Sequence, residues 1–104
     1  MTKIIHLKEE DEYIQKDIEK LAPELAVYSY ESGSYEGSGF VVFKKENKWF
    51  YDDLGHCSCY GPTENLDKAS NMPFTFEQIQ SIENNWNSHA REVVEYITKN
   101  KLNE

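Results

Sequence analysis

The sequence predicts an α+β domain: an N-terminal helix, a three-stranded antiparallel β-meander and a long C-terminal helix packed on the sheet. Three observations carry this. Apolar residues recur at helical spacing near each end of the chain; three short runs between them are β-branched and aromatic; and the links joining those runs are short and polar. At 104 residues the chain is a single domain, 1–104, with room for one modest core. Seven Tyr, five Phe and two Trp make that core aromatic-heavy, and each ring buries a large area.

Lys3 to Leu7 is strand-like but too short to assign. Lys8 to Ala22 reads as the first helix, because Tyr13 or Ile14, Ile18 and Leu21 form one apolar stripe. Glu9, Glu10, Asp11 and Glu12 load its first turn with negative charge, which the helix dipole favours, and Pro23 ends it. Leu25 to Glu31 alternates: Ala26, Tyr28 and Tyr30 share one face, and Leu25, Val27 and Ser29 the other. The glycine-rich segment Ser32 to Gly39 reads as a flexible connection to Phe40-Val41-Val42-Phe43. Lys44 to Lys48 is a polar turn, and Trp49-Phe50-Tyr51 returns as the third strand. Residues 61 to 74 form a loop. Thr75 and Gln78 make a capping box that opens a helix running to about Lys99. Its stripe is Phe76, Ile79, Ile82, Trp86, His89 or Ala90, Val93 and Ile97; His89 belongs there as a packed histidine and Trp86 as a core anchor.

A formal net charge of -8 excludes the nucleic-acid backbone as a direct partner, since phosphate binding needs Lys and Arg. It suits a solvated acidic surface or a partner with a basic groove. Met1 leads into a short apolar stretch and then charge, which offers no signal peptide and no membrane span. Cys57 and Cys59 are too close in sequence for an unstrained crosslink, so a reducing cytoplasm is expected.

Unusual chemistry gathers in one stretch, Asp52-Asp53-Leu54-Gly55-His56-Cys57-Ser58-Cys59-Tyr60-Gly61-Pro62. His56, Cys57 and Cys59 are metal-ligand types, yet the paired Cys-x₂-Cys modules of zinc ribbons are missing. A cysteine nucleophile needs a base or a positive neighbour, whereas Asp52 and Asp53 would raise a thiol pKa. In extended chain Cys57 and Cys59 face one side and pack inward, with His56 and Ser58 turned to the other. No catalytic residue, cofactor or metal is assigned on these grounds. A phosphate cradle in Ser32 to Gly39 would need a helix N-terminus and usually a Lys, and Lys44 is the first to follow. Together with the signature stretch, glycines 37, 39, 55 and 61 would let backbone approach a nucleotide, with Tyr35 as a stacking face and Ser34 and Ser38 as donors.

The order Tyr35-Glu36-Gly37-Ser38-Gly39-Phe40, a strand pair, then Gly55-His56-Cys57-Ser58-Cys59-Tyr60-Gly61-Pro62 resembles a group of small phage and prophage proteins that share the His-Cys-Ser-Cys-Tyr-Gly core. The resemblance covers residues 28 to 66 and carries no assigned chemistry. It implies a mobile-element origin and a cytoplasmic protein acting on host machinery. By analogy of size and charge, the expectation is an anti-CRISPR-like or anti-restriction-like inhibitor of a host defence or nucleic-acid-handling protein. Its partner would be a host protein with a basic surface, met by Glu9, Glu10, Asp11 and Glu12 and by Asp52, Asp53, His56 and Ser58, with Tyr35 and Tyr60 as anchors. Sequestration of a nucleotide signal is the alternative, and a small Cys/His metal or thiol protein a further one.

Overall fold

The computed structural model describes residues 3–32, 36–54, 56–57, 69, 71–81 and 88–102. The chain begins with strand β1 (Lys3–His6) and helix α1 (Glu12–Leu21), followed by β2 (Leu25–Ser32), β3 (Glu36–Lys45), β4 (Lys48–Asp53) and the short β5 (His56–Cys57). Helices α2 (Phe76–Gln80) and α3 (Ser88–Lys99) follow. The sheet order is β1-β2-β3-β4, with β5 also paired to β3.

The expected antiparallel meander is present as β2, β3 and β4, but the sheet is mixed because β1 pairs parallel to β2. Parallel neighbours need a crossover, and α1 supplies it. Ile4 and Ile5, on opposite faces of β1, each pack against a different core cluster, which rewards adding this short strand to the edge.

Helix α1 is shorter than the acidic run suggests. Asp11 is its N-cap: the backbone is extended and Oδ1 accepts from the N–H of Ile14 at 3.0 Å. Residues 7 to 9 instead follow β2, with the N–H groups of Leu7 and Glu9 donating to the carbonyls of Tyr28 and Tyr30. Glu9 and Glu10 therefore precede the helix. The C-cap Ala22 takes a left-handed backbone, φ 52°, before a buried Pro23.

Both faces of the sheet are buried. Ile14 and Ile18 of α1 close over Ala26, Tyr28, Tyr30, Val41, Phe43, Phe50 and Leu54. Val93, Val94 and Ile97 of α3, with Ile79 of α2, close over Leu25, Val27, Phe40, Val42 and Trp49. The alternation of β2 thus separates two half-cores, and the domain has three layers. Each fully buried isoleucine contributes about 2 kcal/mol of burial, so neither helix is a loose cover. Parallel stacking of Phe43 on Phe50, with centroids 5.1 Å apart, fills the α1 side.

The start of β3 differs from the sequence expectation. Ser32 pairs with Gly37 and Tyr30 with Gly39, so Gly37 and Gly39, expected in a connection, lie within β3. A Cβ on Gly39 would stand 2.5 Å from the Ser29 carbonyl and 3.0 Å from the Tyr30 ring, and glycine is what admits this approach. The C-terminal stripe is described as α2, opened by the expected Thr75–Gln78 capping box, and as α3. Ile82 and Trp86 lie outside the described residues. The β3–β4 turn, Glu46-Asn47, has φ of 54° and 65°, the left-handed pair that a two-residue hairpin with the native twist requires.

Candidate functional site

The signature stretch and the glycine-rich segment come together at one end of the sheet. Phe40 pairs with Asp53, Gly37 with His56 and Glu36 with Cys57. Between them the N–H of Leu54 donates to the Gly39 carbonyl at 2.9 Å. β4 and β5 therefore keep a single register against β3, and His56–Cys57 is extended. Two extended segments with no sequence contact become neighbours through this register.

The same end carries a buried polar network. Ser29 is closed to solvent and His89, in the first turn of α3, is 6 % exposed. Ser29 Oγ lies 2.9 Å from His89 Nδ1 and donates to Glu92 Oε2 at 3.2 Å. Since that hydroxyl proton is committed to the carboxylate, Nδ1–H is the donor to Ser29 Oγ and Nε2 accepts from Ser38 Oγ at 3.2 Å. Lys8 Nζ closes the chain, 2.8 Å from Glu31 and 3.2 Å from Glu92. Those bonds hold the Lys8 ammonium above its ordinary pKa, while Lys8 holds Glu31 below the usual carboxylate value. Glu31 Oε1 also stands 3.9 Å from His89 Nε2.

Chemically the network joins β2, β3 and α3 without exposing a reactive group at its centre. Ser29 is sealed; Ser38, Glu31 and Lys8, at the outer ends, meet solvent. Every polar atom in the Ser29–His89 pair is satisfied, which converts what would be a costly burial into a rigid clamp.

On the α1 face, Asp52 is half-buried, with Oδ2 buried and without a hydrogen-bond partner among the described residues. Burial pushes its pKa to about 6; the Asp53 N–H on Oδ1 opposes the rise and the Asp53 charge adds to it. Tyr30, on the same face, has the acids of the N-terminal segment as neighbours. Burial raises the Tyr30 phenol, and the nearby Asp11 and Glu9 carboxylates raise it further, which places both beside the end of β2. Tyr28 Oη accepts from the Asp11 N–H at 3.0 Å and from Gln15 Nε2 at 3.1 Å.

Of the residues expected to bind, Glu9, Glu10, Glu12 and Asp53 are exposed. Glu10 lies 3.7 Å from His6, and Glu12 3.2 Å from Lys16. Asp11 is half-buried and caps α1 through Oδ1. Asp52 turns partly inward. Tyr35, Ser58 and Tyr60 lie outside the described residues, and His56 is placed by its backbone in β5. A large exposed ring that the sequence did not select is Tyr13, 77 % exposed on α1 between Glu12 and the buried Ile14. The network residues were missed as well, although a signal existed: Ser29 and His89 are polar side chains on otherwise apolar faces. His89 as a packed histidine agrees with the structure.

Among the described residues no group of three or more His, Cys, Asp or Glu is placed to hold a metal ion; of the His56, Cys57 and Cys59 set, Cys59 lies outside the described residues and the other two are placed by backbone alone. No described helix is long and apolar enough to cross a membrane. No family model matches the chain, and neither a curated protein nor a solved structure does so.

Proposed function

We propose that this is a non-enzymatic binding protein of phage or prophage type that inhibits a host defence or nucleic-acid-handling protein by occupying a basic groove. One observation carries the reading: Tyr13 stands 77 % exposed, directly after Glu12 in α1 and within four residues of Glu9 and Glu10, whose carboxylates are exposed too. A large ring held in water by a rigid helix is the kind of anchor that dominates interface energetics, and carboxylates around it steer a basic surface into place. The clamp of Ser29, His89 and Glu92 supports the reading, since a preorganised surface loses less entropy on binding. The acids act in the cytoplasm of the host, at a surface that would otherwise meet phosphate.

The test is phage plating on a host whose defence restricts that phage, with the protein expressed in trans. Full protein is expected to restore plating, Tyr13→Ala to abolish the rescue at unchanged melting temperature, and Glu9→Gln/Glu10→Gln to weaken it. Binding to the purified target should fall steeply with added salt. Rescue that persists in both variants would remove the acidic face from the mechanism.

Sequestration of a nucleotide signal is the second reading, favoured by the register that sets Gly37 opposite His56. Nucleotide released on heating the purified protein, with no effect on plating by restricted phage, would replace the first reading by this one.

A further inference from the structure

The opposite end of the sheet has a different chemistry. Across the Glu46-Asn47 turn, Lys45 pairs directly with Lys48. Both lie on the same sheet face as Phe50, because side chains alternate along each strand and directly paired residues share a face. Like charges placed directly opposite destabilise a hairpin. This chain has 19 acidic residues against 11 basic ones, so carboxylates to relieve the repulsion are not scarce. Lys8, Lys16 and Lys20 each sit within 3.3 Å of a carboxylate. By contrast Lys45 and Lys48 make no ion pair among the described residues. Their neighbour Lys44, on the other face, has its ammonium 5.7 Å from the Trp49 ring centroid, where the indole favours a cation.

The two lysines border a cavity of about 240 Å³ lined by Lys45, Glu46, Lys48, Phe50, Asn71 and Pro73. Its composition is that of a small organic-anion site: two ammonium groups, one amide side chain, and an aromatic and a proline ring as apolar floor. Glu46 on the rim offsets part of the positive charge and leaves the pair in excess. A dianion bridging both ammonium groups would replace their repulsion with two charge-assisted hydrogen bonds, each stronger than a neutral one. The volume admits a phosphate and one ring-sized substituent, and is below that of sites for drug-sized ligands.

We infer that the hairpin end of the sheet binds the phosphate group of a small organic phosphomonoester between Lys45 and Lys48, with the organic part against Phe50 and Pro73. This site is at the far end from the acidic face and does not depend on the reading given to that face.

The probes are ribose 5-phosphate and inorganic phosphate, titrated into isotope-labelled full-length protein at constant ionic strength, with sodium chloride as the control. Amide shifts are expected to be saturable and confined to residues 44–50, 71 and 72, with ribose 5-phosphate the tighter ligand. Lys45→Gln/Lys48→Gln should lose about tenfold or more in affinity, while melting no lower than the parent because the like-charge pair is gone. Equal shifts with chloride, parent-like affinity in the double variant, or no preference for the organic phosphate would each overturn the assignment. A double variant that melts lower and binds as before would make the lysines structural instead.

Discussion

The two ends of this sheet handle charge in opposite ways. At one end Ser29, Ser38, His89, Glu31, Glu92 and Lys8 are knitted into a chain in which every described donor has an acceptor. At the other, Lys45 and Lys48 face each other across a two-residue turn whose backbone is left-handed at both positions. The first arrangement converts polar groups into rigidity; the second keeps local repulsion and backbone strain. Unfavourable local terms of this kind concentrate where a molecule meets something else, whereas satisfied ones serve the fold. The contrast therefore separates residues that hold the domain from residues that are free to act on a partner.

The largest effect expected from breaking this contrast is at His89. His89→Ala removes the Nδ1–H that Ser29 Oγ accepts from and the Nε2 that accepts from Ser38 Oγ, and opens space above a serine with no exposure. Leaving a buried hydroxyl short of a partner and creating a cavity together cost about 3 kcal/mol. Urea unfolding should show it as a lower midpoint at unchanged slope. A loss within about 0.5 kcal/mol would mean that the network decorates the fold rather than clamps it.

How far these ends were legible in the sequence follows from the range of the interactions that make them. The alternation in Leu25 to Ser29 and the Thr75–Gln78 box are local, and each stands in the structure as the sequence implies; the polar turn expected at 44–48 is tighter, Glu46-Asn47, because Lys44, Lys45 and Lys48 pair as strand. The parallel pairing of β1 was not legible, because a four-residue strand is decided by its neighbour and by α1 above it. Asp11 was read as one of a row of acids, although a single carboxylate before an apolar periodicity is also an N-cap signal. Bringing Gly37 against His56 required the register of β3 with β4, which no local pattern contains. Ser29 and His89 are separated by sixty positions, and only the crossing of α3 over β2 joins them.

Asp52 offers a smaller effect with a distinctive pH signature. Its carboxyl titrates at about 6 in the folded protein, above the ordinary 3.8. The folded state thus holds the proton more tightly than the unfolded chain. Below the ordinary value neither state is charged and nothing is lost; between the two values folding becomes progressively less favourable; above about 6 the whole cost is present. Partial exposure screens that cost to about 1 kcal/mol. Asp52→Asn is expected to raise the melting temperature at pH 7.5 and to leave it unchanged at pH 3.5. A gain of equal size at both pH values would assign the effect to packing instead of charge.

The smallest effect lies in the hairpin, and it sharpens the comparison most because it carries two readouts. Glu46 holds φ at 54°, a region that asparagine tolerates far better than a long side chain. Glu46→Asn should therefore stabilise the domain by about 0.5 kcal/mol, read as a slightly higher urea midpoint. The same change removes the carboxylate from the rim of the Lys45–Lys48 cavity, so affinity for ribose 5-phosphate should rise. If strain at this turn were there only to shape the hairpin, stability would change and affinity would not. If the glutamate tempers the lysine pair, both move in the same direction, and the turn residue is part of the anion site as well as of the fold.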